Sequence, residues 1–368
     1  MGIRNFAMGM LALFIPVYLY KLSYSIPSIL GYYIMFYAFA FSFFFLGLYL
    51  CKKIGVKHSI LISAPVTIGY LILLHTLKSA GWPLFFIALI GGIGDGIFWS
   101  SFHIYFATKS DDGSRGKQVS TLNGSIAILG AFAPIAGGAI AGFWSFGTLF
   151  IIGSVLFLVS ALPLFLTHEN KIEVKFNLNQ LIEKKHFIDD LPYIGEGIRY
   201  GALGVIWPFY IFLVGLNVVL VGFSFTLANV FYVIFNFIMG MVTDSENKIA
   251  LVRLGAVMHG LSVVVRGFVG NVWSVMFVHS FGGVTAPMLE VPFLSLFYEN
   301  SSKSKGIIIV IREFYLALGR IFVYSLGIVL FWYTGSFVKS FAPLFIIAGL
   351  SCYFQTLMHP LNKPKKKK

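Results

Sequence analysis

The chain has 368 residues, 58% of them hydrophobic and 11% charged, with a formal charge of +13 and a mean hydropathy of +0.86. A soluble domain carries nearer a quarter charged residues, so this composition excludes one and points to a polytopic membrane protein. Two cysteines, Cys51 and Cys352, exclude a disulfide framework or a zinc cluster, and basic residues confined to short loops between apolar runs exclude a nucleic-acid groove.

Twelve apolar runs follow in chain order: 4–22, 27–51, 57–77, 83–108, 118–143, 146–166, 192–214, 218–243, 248–267, 271–299, 304–332 and 336–358. Each is predicted to be a membrane helix, because a segment in lipid must satisfy its own backbone hydrogen bonds. Their continuity excludes a β-barrel, whose strands alternate in segments of about 10 residues. The first run, behind Arg4, resembles a signal peptide, but no small-x-small cleavage site follows and it is read as a retained span.

One set of loops collects nearly all the basic residues, among them Lys52, Lys53, Lys57, Arg115, Lys117, Lys184, Lys185, Lys248 and the tail lysines. The opposite set carries Lys21, Lys78 and Lys339. This asymmetry places both termini in the cytoplasm of a cell-membrane protein. Trp82, Trp144, Trp273 and Trp332 fall at the predicted outer boundary as an aromatic belt. The polar segment 167–191, a short amphipathic helix with Asn177 as its N-cap, divides the chain. The expected division is 1–166 and 192–358 as two six-helix bundles, 167–191 as a cytoplasmic linker and 359–368 as a basic tail that touches anionic lipid.

The two halves echo each other. Phe14-Ile-Pro16-Val-Tyr18 matches Ile206-Trp-Pro208-Phe-Tyr210, and Gly47 matches Gly240. Gly91-Gly92 matches Gly282-Gly283, and Ser114-Arg115-Gly116 matches Ser304-Lys305-Gly306. The offset stays at roughly 190–193 residues, which predicts an internal duplication of the kind used by transporters.

Asp95 stands out within the fourth run, flanked by Gly94 and Gly96. A carboxylate there costs roughly 2.5–3.5 kcal/mol on insertion scales, so it marks either a proton-carrying group on a water-filled pathway or a neutral, hydrogen-bonded packing residue. The surrounding glycines lie inside a span, not between a strand and a helix, so they are no phosphate loop. The eight histidines show no metal-ligand spacing.

With six plus six spans, a cytoplasmic central loop and internal termini, the chain resembles the major facilitator superfamily over its whole length. That family's loop signature between spans 2 and 3, G-x-x-x-D-R-x-G-R-K, aligns with Gly47-Leu-Tyr-Leu-Cys51-Lys52-Lys53-Ile-Gly55-Val-Lys57. Gly47 and Lys52 match, Gly55 comes one residue late, and Cys51 replaces the aspartate. Gly240-Met-Val-Thr-Asp244 keeps the aspartate in the second half. The resemblance implies that this loop is a charge lock, which Cys51 weakens. Gly124, Gly130, Pro134, Gly137 and Gly138 in span 5 are similar to the glycine-proline motif of proton-coupled exporters, though Ala133 and the register depart from it. Plain helix packing by small residues explains them equally well. The family implies a monomeric all-α transporter without cofactors whose spans 1, 4, 7 and 10 line a central cavity. Tyr18, Trp99, His103, Trp207, Tyr210 and Glu290 are the cavity candidates on those spans.

Counting residues from the helix ends places Glu290 and Arg312 at similar depth and predicts a salt bridge between spans 10 and 11. Glu196 and Arg199, spaced i,i+3 on span 7, share a face and are read as a pair or gate contact. Glu313 lies nearer a span end. Arg320 is deep in span 11, where it reaches Asp95, holds an anionic group of the substrate, or packs and snorkels.

The expected function is secondary active transport of a small organic solute by alternating access, proton-coupled through Asp95 and leaning to export. The alternatives are a lipid or lysolipid flippase on the same fold and a non-transporting sensor or assembly protein. No nucleophile–base pair or surface carboxylate–histidine cluster suggests an enzyme.

Overall fold

The computed structural model describes residues 2–109, 121, 128, 130–165, 187–303 and 307–360. Those residues form helices joined by short turns, with no strand among them. In chain order they are α1 (Gly2–Lys21), α2 (Ile26–Ile54), α3 (Val56–Ala80), α4 (Leu84–Lys109), α5 (Ala133–Trp144), α6 (Phe146–Phe165), α7 (191–213), α8 (Val218–Ser245), α9 (Lys248–Phe268), α10 (Val272–Lys303), α11 (Ile307–Thr334) and α12 (Phe337–Leu357). Ten of these are long and apolar enough to cross a membrane. Lipid-facing character shows on α6, which exposes Ile151, Val155, Leu158, Leu162 and Phe165. The chain is an all-α, multi-pass membrane protein. Most of linker 167–191, the echo at 114–116 and 304–306, Gly124 and the tail from 361 lie outside the described residues.

Packing repeats with a step of six helices. In the first half α2 packs on α4, α4 on α3, α3 on α6, and α1 on α5 and α6. Adding six to each number describes the second half: α8 on α10, α10 on α9, α9 on α12, and α7 on α11 and α12. The two large contacts between halves, α2 with α11 and α5 with α8, exchange under the same rule.

The duplication extends to single hydrogen bonds. At the α1–α2 turn Leu22 N–H donates to the Tyr18 carbonyl and Tyr24 N–H to Leu19. At the α7–α8 turn Val214 donates to Tyr210 and Leu216 to Ile211, each 192 residues later. Between them Ser23 has φ 67° and Gly215 φ 110°, the left-handed geometry that closes such a turn. Ser25 then caps α2 by accepting from Ser28 N–H, as Asn217 caps α8 by accepting from Leu220 N–H. Pro16 and Pro208 follow distortions at corresponding positions but of opposite sense, a tightened 3₁₀ turn at Ala12–Phe14 and a widened π turn at Ala202–Ile206. Each proline lacks an N–H and crowds the preceding turn, which distorts to accommodate it.

Glycines set the closest approaches. A Cβ on Gly96 of α4 would run into the Ala40 carbonyl of α2, and one on Gly283 of α10 into the Ala228 carbonyl of α8. Backbone cannot retreat as a side chain can. Gly96→Ala and Gly283→Ala are therefore each expected to cost about 1–3 kcal/mol, read as a lowered melting temperature of the purified protein.

Candidate functional site

A cavity of about 490 Å³ lies between the halves, lined from the first by α1, α2 and α4 and from the second by α7, α8, α10 and α11. Its wall is aromatic: Tyr37, Phe98, Trp99 and Phe102 face Tyr200, Tyr232 and Tyr298. Trp99 and His103 project into it from successive turns of α4, with Glu290 and Arg320 opposite. Trp99 remains 37% exposed, which leaves its ring free to meet a solute.

The buried charges pair differently from the sequence expectation. Glu290 does not bind Arg312; it accepts from Arg199 Nη1 at 2.7 Å and from the Tyr232 hydroxyl at 3.0 Å. Arg312 instead grips Glu196 with two hydrogen bonds of 2.9 and 2.7 Å and reaches Glu313 at 3.0 Å. Glu196 and Arg199 likewise do not pair with each other, although they share α7. Each turns to a different neighbour, Glu196 to α11 and Arg199 to α10. The i,i+3 spacing permits an intrahelical bond, but bidentate capture by a planar guanidinium across a helix interface is stronger. On α4, His103 Nε2 lies 3.3 Å from Glu313 and Nδ1 3.1 Å from the Tyr298 hydroxyl.

Asp95 sits one turn from the main cavity, on a small space that it shares with Trp99, Glu313 and Arg320. Trp99 Nε1 donates to its Oδ1 at 3.1 Å. Arg320 and Arg4 lie within electrostatic reach. Neither comes within 4.0 Å to form an ion pair among the described residues. Arg320 stacks over Tyr37 at 4.5 Å, half-buried and without a hydrogen bond among the described residues. Arg4 is buried with its guanidinium 3.4 Å from the Phe98 ring centroid. Among the described residues no group of three or more His, Cys, Asp or Glu could hold a metal.

Residues 2–188, just over half of the chain, match the family model described as Major Facilitator Superfamily. The chain belongs to the major facilitator superfamily. It is a membrane transporter, and its twelve helices form the two pseudo-symmetric six-helix bundles of that fold. A D-xylose-proton symporter superposes with a TM-score of 0.70 at 14% identity, covering 96% of this chain and 95% of the symporter. A proton:xylose symporter bound to 6-bromo-6-deoxy-D-glucose gives 0.73 at 16%, covering 97% and 92%. At such identities the likeness concerns the fold. No curated protein matches the sequence.

Within this superfamily fold three cavity candidates lie elsewhere. Tyr18 is buried, donates to the Leu74 carbonyl at 2.9 Å and packs on Phe146 and Phe150. Tyr210, its counterpart, donates to the Val269 carbonyl at 3.3 Å and packs on Phe345. Trp207 is fully buried against Tyr210, His279 and Phe345. Their helices do approach the cavity, but these side chains point away from it into their own bundles. Tyr18→Phe and Tyr210→Phe are therefore expected to cost about 0.5–1.5 kcal/mol each and to leave solute affinity unchanged. Trp99→Ala should abolish binding while sparing the melting temperature; calorimetric titration beside thermal unfolding separates the two classes.

The loop signature folds as a tight connection. Gly55, at φ 92°, alone joins α2 to α3. Gly47 seats α2 on Ile97 and Ser100 of α4. Cys51, in the aspartate's place, is buried and its thiol donates to Ser101 Oγ at 3.2 Å, which couples α2 to α4 without charge. Lys52 and Lys53 are exposed, Lys57 is half-buried, Gly240 is buried and Asp244 is exposed. On α5, Gly137 abuts the Met10 backbone of α1, while Gly138 abuts Val218 of α8. Pro134 begins that helix, where Ile135 N–H donates to Thr226 Oγ1 of α8 at 3.1 Å. Gly130 has open space around it.

Sequence reasoning missed Tyr37, Tyr200 and Tyr232. Tyr200 directly follows Arg199, and an aromatic beside an intramembrane charge was a usable signal. Tyr37 and Tyr232 sit on α2 and α8, among many lipid-facing aromatics, and nothing in the sequence separates them.

Proposed function

We propose that the chain moves a small neutral solute of about sugar size by alternating access, coupled to protons through Asp95. The observation that carries this reading is the cavity itself: aromatic walls from both halves and one uncommitted cation, Arg320, within reach of a carboxylate on the opposite half. About 490 Å³ suits a ligand of this size. The charges around it balance, with Asp95, Glu196, Glu290 and Glu313 against Arg4, Arg199, Arg312 and Arg320, so the site favours a solute without net charge. The xylose symporters of the same fold support a polyhydroxylated one.

In the proposed cycle an ionised Asp95 attracts Arg320 and holds α4 against α11. Protonation releases Arg320, whose guanidinium then donates to solute oxygens while Trp99 stacks on the ring. Loss of the proton from Asp95 restores its attraction for Arg320 as the two bundles, 1–166 and 192–358, rock about the cavity.

Thermal unfolding of purified protein tests the reading with D-xylose, D-glucose, amino acids, organic acids and lysophosphatidylcholine, since binding stabilises by mass action. A sugar that raises the melting temperature of wild type but not of Trp99→Ala is the expected result. Stabilisation by the lysolipid alone would move the assignment to a lipid flippase. No stabilisation by any ligand would favour a non-transporting role.

A further inference from the structure

The ion pairs Arg199–Glu290, Lys248–Glu299, Arg312–Glu196 and Arg312–Glu313 lie within the second half. His103 with Glu313 joins the two halves. We propose that His103 is a positioning residue whose proton latches α4 to α10 and α11 and closes the end of the cavity nearest Gly55.

The geometry supplies each part of that device. His103 is 5% exposed, six residues before the end of α4. Tyr298 lies near the end of α10, and Glu313 near the start of α11, at the same end of the molecule. Both imidazole nitrogens are engaged, Nε2 with Glu313 and Nδ1 with the Tyr298 hydroxyl. Glu313 is in turn held by Arg312, which Glu196 fixes bidentately. The carboxylate facing His103 is therefore anchored to two helices of the second half.

A neutral imidazole can donate only one N–H, leaving a single neutral donor on Glu313. An imidazolium donates from both nitrogens and adds a full charge opposite the carboxylate, making a charge-assisted bond roughly twice as strong. The groups facing His103 are Glu313 and Arg312 from α11, Tyr298 from α10 and, on its own helix, Trp99 with Asp95 behind it. The Trp99 ring stacks on the imidazole at 5.4 Å, a face that also favours the cation. The latch is present while the imidazole carries its second proton and weakens when that proton leaves.

Asp95, Trp99 and His103 follow at i, i+4 and i+8 on one face of α4. One tryptophan therefore touches both the candidate proton carrier, through its N–H, and the latch, through its ring. The latch deepens the transport reading, yet its test needs no solute.

Spin labels on cysteines introduced at Lys53 of α2 and Arg253 of α9, both exposed near that end, report the distance between halves. The native cysteines are buried and stay in place. In wild type the closed-to-open ratio should rise about fivefold between about pH 8.5 and about pH 5.5. His103→Gln and Glu313→Gln should lose the pH response, and His103→Arg should stay closed at both ends of the range. Asp95→Asn removes the Asp95–Arg320 attraction, which protonation loosens and which therefore opposes the latch, so it should keep the response and enlarge it, which separates failure of the latch from failure of proton coupling. A monodisperse elution profile shows that each variant folds. A distance independent of pH in wild type, or a response that survives His103→Gln and disappears in Asp95→Asn, overturns the proposal.

Discussion

Arg312→Ala is expected to destabilise the protein by about 3–5 kcal/mol, more than any other single substitution among the buried charges. Arg312 holds Glu196 with two hydrogen bonds and Glu313 with a third, and both it and Glu196 are buried. Its loss leaves one carboxylate with no partner in a medium of low dielectric and strips another of its anchor. The double variant Glu196→Gln with Arg312→Met removes both charges of the bidentate pair and should recover much of the loss, because desolvating two ions offsets most of their attraction. Urea unfolding of the two single variants and the double variant measures the coupling. Equal, additive losses would mean that the pair contributes nothing beyond its separate side chains.

The same reasoning gives a weaker effect for Arg199→Ala, since Glu290 keeps the Tyr232 hydroxyl as a donor and faces the cavity, where water can reach it. Ranking Arg312 above Arg199 is a consequence of geometry alone; the two residues are alike in type and in burial.

Much of the architecture was legible in the sequence. Twelve apolar runs became twelve helices, because a lipid environment leaves the backbone few alternatives. The duplication was legible as well. The echo of Pro16-Val-Tyr18 in Pro208-Phe-Tyr210 corresponds to helix distortions at the same place, matched turn hydrogen bonds and matched tyrosine anchors. Gly91-Gly92 and Gly282-Gly283 echoed because each pair includes a glycine, Gly92 and Gly283, that lets the backbone of α2 or α8 approach.

The charge pairing was not legible. Position along a span gives depth, and depth alone paired Glu290 with Arg312, while spacing along one helix paired Glu196 with Arg199. Which way a side chain points around its helix depends on packing, and that decided Glu196–Arg312 and Arg199–Glu290 over the expected partners. Tyr18, Trp207 and Tyr210 failed as cavity residues for the same reason. Helices α1, α4, α7 and α10 do line the cavity, together with α2, α8 and α11, but each has a face turned into its own bundle, and the π turn at Ala202–Ile206 rotates the helix between Tyr200 and Trp207. An apolar sequence with little polar contrast offers no period from which the inward face could be read.

The largest functional effect is expected at Asp95. Asp95→Asn keeps the hydrogen bond from Trp99 and the small volume beside Arg320, but it fixes the site in a neutral state. Gradient-driven accumulation should fall at least about 100-fold, since an interaction with a buried charged group supplies a few kcal/mol and each 1.4 kcal/mol is tenfold. Exchange of labelled for unlabelled solute should persist, because it needs only the loaded protein to alternate. Asp95→Glu, which restores a titratable group, should recover part of the accumulation.

The most direct measurement is proton movement in liposomes that carry the purified protein and a pH-sensitive dye, on addition of the sugar that stabilises it. The account predicts a solute-dependent pH change with wild type, none with Asp95→Asn, and labelled-sugar exchange with both. A pH change that persists in Asp95→Asn, or sugar movement in wild type with no proton movement, would contradict it.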